Sequence, residues 1–142
     1  MKYREKIPLR PYRVIKTYGN ETGHSCAFRQ WRADSHCNLI HGYALGFEIT
    51  FESVELNEQN WVIDFGDLGI LKKYLKETFD HTTVIARDDP EYETFLMLQN
   101  LNLVELIVLD NVGCEAFAEE VFNFCKQTLE DDRVFIRSVK VF

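Results

Sequence analysis

No stretch of the chain comes near the roughly 20 consecutive apolar residues that a membrane-spanning helix needs. The opening Met-Lys-Tyr-Arg-Glu-Lys also lacks the apolar core of a secretory signal, so a cytoplasmic protein with no membrane partner is expected. Cysteine is sparse, with four residues and no C-x-x-C pair, which supports neither a zinc ribbon nor a thioredoxin-like redox site. Two of the four stand beside histidines and two in a helical pattern, so a disulfide framework is not expected either. Proline is scarce, and no Pro/Gly/Ser linker, internal repeat or low-complexity tract breaks the chain. Residues 1–142 are therefore read as one domain. Positive charge is in short supply as well, with a net charge of −7 that argues against general nucleic-acid binding.

Apolar residues, by contrast, are plentiful: 46% of the chain, with eleven Phe, is enough for a folded core. The charge is uneven. Residues 1–32 carry eight Lys and Arg against two acids, while the rest carries eight against twenty-one. A basic first quarter on an acidic body leaves room for a small anionic ligand such as a phosphate ester.

Residues 1–9 read as an arm ending near Pro8. Tyr12, Val14 and Tyr18 alternate with Arg13, Ile15 and Thr17, which suggests a first strand. The clearest strand spans 43–52, with Leu45, Phe47, Ile49 and Phe51 on one face; His41 and Tyr43 share that parity and should point to the same side. A turn is expected at 56–60 and a short extended piece at 61–63. Asp64 or Asp67 can cap the next helix, where Leu68, Leu71, Leu75 and Phe79 recur at helical spacing. Beyond it come Asp80-His81, a turn at 87–90, a short helix at 91–100 and a buried strand at 103–109. A turn at 110–113 leads into a second long helix striped by Phe117, Val121, Cys125 and Leu129, and the chain closes with a strand at 133–142. This order reads as α+β, an antiparallel sheet with helices packed on one face; the barer face would invite oligomerisation.

Three of the four histidines (His24, His36, His41) and two cysteines (Cys26, Cys37) crowd into residues 23–43. The stretch is either a His-rich loop or a metal or nucleophile site. Cys37 becomes a base or nucleophile if a histidine or metal stabilises its thiolate. Asp80 can fix the tautomer of an adjacent imidazole. Arg29 and Arg32 flank Trp31: their guanidiniums either grip a phosphate while Trp31 stacks on a ring, or are solvated charges around a packed Trp.

In Cys37-x-x-x-His41-Gly42, in Asp64-Phe65-Gly66-Asp67-Leu68 and in Phe79-Asp80-His81 the chain resembles the 6-pyruvoyl-tetrahydropterin and 6-carboxytetrahydropterin synthase family. The likeness runs over roughly residues 23–142. It implies the tunnelling fold, homo-oligomeric rings or hexamers, and a lyase acting on 7,8-dihydroneopterin triphosphate. The 6-carboxytetrahydropterin branch, towards deazaguanines such as queuosine, is the one expected. The resemblance further implies a Zn2+ ion held by three histidines. His41 matches one of them. Tyr43 stands where the second belongs, and the first is matched by His24, Cys26 or Phe28 according to register, with His36 a further substitute. The ligand set so implied is His24, His41 and Tyr43. Cys37 would be the proton-transfer base, Asp80 and His81 its relay, and Glu115 a substrate contact, with Arg29 and Arg32 on the triphosphate. An extra segment at 88–106 precedes the second long helix.

Overall fold

The computed structural model describes residues 10–142, so the arm expected at 1–9 lies outside the described residues. In chain order the elements are β1 (Tyr12–Tyr18), β2 (His24–Phe28), β3 (His41–Leu45), β4 (Phe47–Ser53), α1 (Gly69–Phe79), β5 (Thr82–Ala86), α2 (Tyr92–Asn100), β6 (Leu106–Leu109), α3 (Cys114–Leu129) and β7 (Phe135–Val141). They form two sheets: β1-β4-β7, antiparallel throughout, and β3-β2-β5-β6, in which β2 runs antiparallel to β3 and parallel to β5. The architecture is α+β, and the antiparallel sheet expected from the sequence is joined by this second, mixed one.

The run expected as one strand over 43–52 is two strands that serve different sheets. Its alternation survives the break, because Leu45, Phe47, Ile49 and Phe51 are all fully buried. Gly46 marks the change. Its N–H donates to the carbonyl of Phe142 at 2.6 Å and its carbonyl accepts from Phe142 N at 3.0 Å. A Cβ at residue 46 would lie 2.5 Å from the Phe142 ring, so glycine permits this close approach.

Asp64 Oδ1 accepts from Gly66 N at 2.7 Å and caps a short 3₁₀ turn, Phe65–Leu68, that runs straight into α1. Leu68, Leu71, Leu75 and Phe79 are buried, as their spacing predicts. The extended piece expected at 61–63 is irregular instead, since Arg133 takes over its carbonyls, donating to those of Trp61 at 3.3 Å and Val62 at 2.8 Å.

The two long helices cover one face of the mixed sheet, where Phe28, Val84, Phe79 and Phe117 join the main core. Rings of Phe28 and Phe79 each lie 5.1 Å from Phe117. Burying such a ring fully contributes about 1.5–3 kcal/mol. Ile85, one residue along β5 from Val84, points the other way and packs with Phe95 and Leu106 in a second, smaller cluster. Helix α2, formed by the extra segment, thus covers part of the opposite face. Among the described residues no helix is long and apolar enough to cross a membrane.

Candidate functional site

Helix α1 stops at Phe79, and the chain turns directly into β5 through Asp80 and His81. His81 has φ 55, the left-handed region that non-glycine residues seldom occupy. Strand β2 holds it there. His81 N donates to Ser25 O at 2.7 Å, and Asp80 Oδ1 accepts both Ser25 N at 3.2 Å and His81 Nδ1 at 2.8 Å. With Nδ1–H engaged, Nε2 keeps its lone pair, and the imidazole is 84% exposed, so that lone pair meets solvent. Burial would push the Asp80 carboxyl up, but the hydrogen bonds from His81 and Ser25 outweigh it and hold the group below the usual carboxylate value.

His24 lies beside this pair but inside the protein. It is 4% exposed, its ring stands edge-on to Phe47 at 5.5 Å, and its Nδ1 has no hydrogen-bond partner among the described residues. Burial lowers its pKa, and the Asp80 charge works weakly the other way. The same neighbourhood carries two hollows. One of about 450 Å3 is lined by Ser25, Ala27, Gly42 and Thr83 together with His81 and Glu105. The other, about 780 Å3, includes Lys73, Lys76, Asp80 and His81.

A different group of residues gathers at the far end of β2. In the β2–β3 ladder His24 faces Leu45, Cys26 faces Tyr43 and Phe28 faces His41. The Phe28 ring lies 5.0 Å from His41 and is stacked on Tyr43 at 5.1 Å. His41 Nδ1 donates to Leu39 O at 2.7 Å. Cys37 sits half-buried in a 3₁₀ turn, His36–Asn38, where its N–H donates to Ser35 Oγ at 3.3 Å and its carbonyl accepts Gln30 N at 2.8 Å. Arg29 forks onto Asp89 at 2.8 and 2.7 Å. Arg32 reaches Asp88 at 2.5 Å and lies over the Trp31 ring at 4.0 Å. Both arginines read as phosphate ligands are thus engaged by acids at the start of the extra segment. Glu115 is exposed in the first turn of α3, after Gly113, whose φ of 119 and ψ of 162 fall in a region essentially reserved for glycine.

The family profile described as 6-pyruvoyl tetrahydropterin synthase matches residues 19–142. The chain belongs to the 6-pyruvoyl tetrahydropterin synthase family. It is 26% identical over 133 residues to a 6-carboxy-5,6,7,8-tetrahydropterin synthase of Aquifex aeolicus, covering 84% of this chain and 82% of that one. An uncharacterized protein from Wolinella succinogenes has a similar crystal structure, with TM-score 0.82, 20% identity, and coverage of 94% and 93% of the two chains. The 6-pyruvoyl tetrahydropterin synthase of Plasmodium falciparum superposes with TM-score 0.57 at 16% identity, over 84% of this chain and 80% of its own. These structures share the tunnelling fold with it.

Measured against the zinc site that family membership suggests, the donors in this chain do not converge. His24 and Phe28 lie four residues apart on β2, roughly 13 Å along an extended strand. As His41 faces Phe28, one ion cannot reach both His24 and His41 with bonds of about 2.0–2.1 Å. Among the described residues no three His, Cys, Asp or Glu side chains come together to hold a metal. The implied set of His24, His41 and Tyr43 is thus not brought together within one chain. Cys37 and the Asp80–His81 pair are separated too. One is tied to Gln30, just beyond the end of β2, and the other to Ser25 near its start, five residues or on the order of 15 Å of extended chain apart.

Phe28 stands in the sequence only as one alternative for a missing histidine, and Asp89 belongs to no motif of the sequence. The signal for Asp89 was an acidic pair before Pro90, able to answer two arginines in need of partners.

The four thiols are free and differ in environment. Burial pushes Cys26 up to about 11 and Cys125 up to about 12, and raises Cys114 with help from Glu115. Each unit upward removes about tenfold of the reactive thiolate. Native alkylation at pH 8 followed by peptide mass mapping should therefore label Cys37 first, with Cys26 and Cys125 protected until the protein unfolds. Labelling of Cys26 ahead of Cys37 would contradict the packing described.

Proposed function

We propose that this family member is a lyase that takes 7,8-dihydroneopterin triphosphate, or a close relative, towards 6-carboxytetrahydropterin in the cytoplasm. The observation that supports it best is the Asp80–His81 pair. An exposed imidazole with its tautomer set by a carboxylate is what a general base requires. Its Nε2 would take a proton from the substrate side chain. The C–H electron pair left behind forms a carbon–carbon double bond as the neighbouring carbon–oxygen bond to the triphosphate breaks, and the leaving triphosphate carries away that bond's electron pair. Lys73 and Lys76, in the hollow that His81 also borders, favour the departing anion. The small residues Ser25, Ala27 and Gly42 among the lining of the neighbouring hollow leave room for a flat ring.

Cys37 is too distant to exchange a proton with His81 of its own chain, so its part in the reaction requires a second copy. Among the described residues the outer edge of strand β3 is unpaired, which suits such an assembly and is in keeping with a homo-oligomeric ring. No step here is routed through a metal.

A second reading has its own support: with His24 opposite Leu45 and only Phe28 opposite His41, the expected zinc donors stay apart, which favours a non-catalytic homologue that has lost its zinc site and binds or scaffolds without turnover. Incubation with 7,8-dihydroneopterin triphosphate separates the two. Release of inorganic triphosphate together with a new pterin product is expected for the lyase. Calorimetric binding without release would support the binding homologue, and neither binding nor release would overturn the lyase and leave the scaffold.

A further inference from the structure

Positions 41 and 43 on β3 and position 28 on β2 form a triangle on one face of the mixed sheet. His41 and Tyr43 are two residues apart and so share a face, and Phe28 pairs directly with His41. Side chains on such a triangle converge, since directly opposed Cβ atoms lie about 4.5–5.5 Å apart. Three imidazoles placed there would point at a common centre. This chain instead sets one imidazole, one phenol and one hydrocarbon ring around it.

The Phe28 corner is packed, while Tyr43 keeps 43% of its surface exposed. Phe28 is 3% exposed and is backed by Phe117, whose ring meets it edge-on at 5.1 Å. The His41 and Tyr43 rings lie 5.3 Å apart, which closes the triangle with three aromatic contacts, each within the range that stabilises ring pairs. Phe28 offers no lone pair and cannot swing aside without leaving a cavity against Phe117. His41 alone keeps the posture of a metal ligand. Its Nδ1–H is tied to a backbone carbonyl, which fixes the tautomer and frees Nε2, as the outer-shell bond of a liganding histidine does. One nitrogen does not hold zinc, which takes three protein ligands in catalytic sites.

We infer that this triangle is a metal position rebuilt as an aromatic stack, so that the chain binds no zinc through His41, and that Phe28→His with Tyr43→His would restore a three-histidine site. The inference does not depend on the proposed lyase activity, because a metal-free lyase and a metal-free pterin binder share the same triangle.

The test reads metal, not turnover. Protein purified without chelators is dialysed against zinc chloride, and the zinc per chain is measured for wild type, His41→Ala, Tyr43→His and the Phe28→His/Tyr43→His pair. Cobalt(II) absorption reports whether a tetrahedral site forms. Wild type and His41→Ala should hold the same amount of zinc, with no tetrahedral cobalt spectrum in either. The double variant should bind zinc at least about a hundredfold more tightly and show that spectrum. Position 28 is in the core, so circular dichroism checks that the double variant folds. If it does not fold, the comparison of wild type with His41→Ala decides, and Tyr43→His, altered at an exposed position, should show only weak binding. Zinc in wild type that His41→Ala removes would overturn the inference. So would a folded double variant that binds no better than wild type.

Discussion

Replacing His81 should slow triphosphate release from 7,8-dihydroneopterin triphosphate by about 10²–10⁴-fold, the usual loss when a placed general base is removed. The choice of replacement matters, because His81 sits at φ 55. Asparagine tolerates that region better than alanine, so His81→Asn separates lost chemistry from added backbone strain. Asp80→Asn should also lower the rate, since the amide can no longer accept both the Ser25 and His81 donors in the same way. Substrate affinity should change much less than turnover in both variants, because the proton moves only in the transition state. Full turnover in His81→Asn would remove the pair from the mechanism.

The distance between Cys37 and His81 makes a sharper version of this result available. Cys37→Ala and His81→Asn should each be inactive alone. If sites form between copies, unfolding the two variants together and refolding them gives mixed oligomers in which about a quarter of the sites carry both intact residues. Activity should return to about that fraction. A mixture as inactive as its parts would show that no site draws Cys37 and His81 from two different copies, whereas a Cys37→Ala variant that turns over at the wild-type rate would leave His81 as the base and Cys37 outside the chemistry.

Much of this fold was legible because one face of each element is buried. The α1 stripe follows the helical period, and the β4 alternation follows the strand period. Strand β5 escaped notice for the opposite reason. Thr82 to Ala86 are all buried, helices cover both sides, and alternation carries no signal there. Strand β2 was hidden by its residue types, since His-Ser-Cys-Ala-Phe reads as a site before it reads as a strand. The site itself was legible where it is local: Asp80 and His81 are neighbours in sequence and hydrogen-bonded in space. It was illegible where it depends on register. That His24 faces Leu45, and that Phe28 faces His41, follows from the ladder and from nothing in the spacing of the histidines. The partners of Arg29 and Arg32 lie 60 and 56 residues away, beyond the reach of any local pattern.

The Arg29–Asp89 fork joins the segment that carries Cys37 to the extra helix, and breaking it should have the largest effect on stability. The Asp89 side chain is 1% exposed and that of Arg29 is 21% exposed. Asp89 also accepts Glu91 N at 2.8 Å at the entry to α2, and Arg29 reaches Asn38 O at 3.4 Å, next to Cys37. Asp89→Asn leaves a partly exposed guanidinium without its counter-charge, a loss that costs about 3–5 kcal/mol when a pair is fully buried. The partial exposure of Arg29 places this case near the lower end, about 3 kcal/mol, or roughly 10 °C in melting temperature for a chain of this size. The pH dependence distinguishes a charge effect from a packing defect. Burial would raise the Asp89 pKa, but Arg29 and the Glu91 amide outweigh it, so the folded value lies below the unfolded one. A depressed carboxyl stabilises the fold fully above its unfolded pKa of about 3.9, and that contribution fades as pH falls through the lower folded value. Thermal unfolding of wild type and Asp89→Asn should therefore show a constant gap at neutral pH that narrows once the pH drops below about 4. Cys37 in the variant should also be alkylated faster at neutral pH, as the turn that carries it loses its tie to α2. A gap that stays the same down to the acid limit of folding would mean that Asp89 acts through shape alone, and that its charge does not hold the Cys37 segment in place.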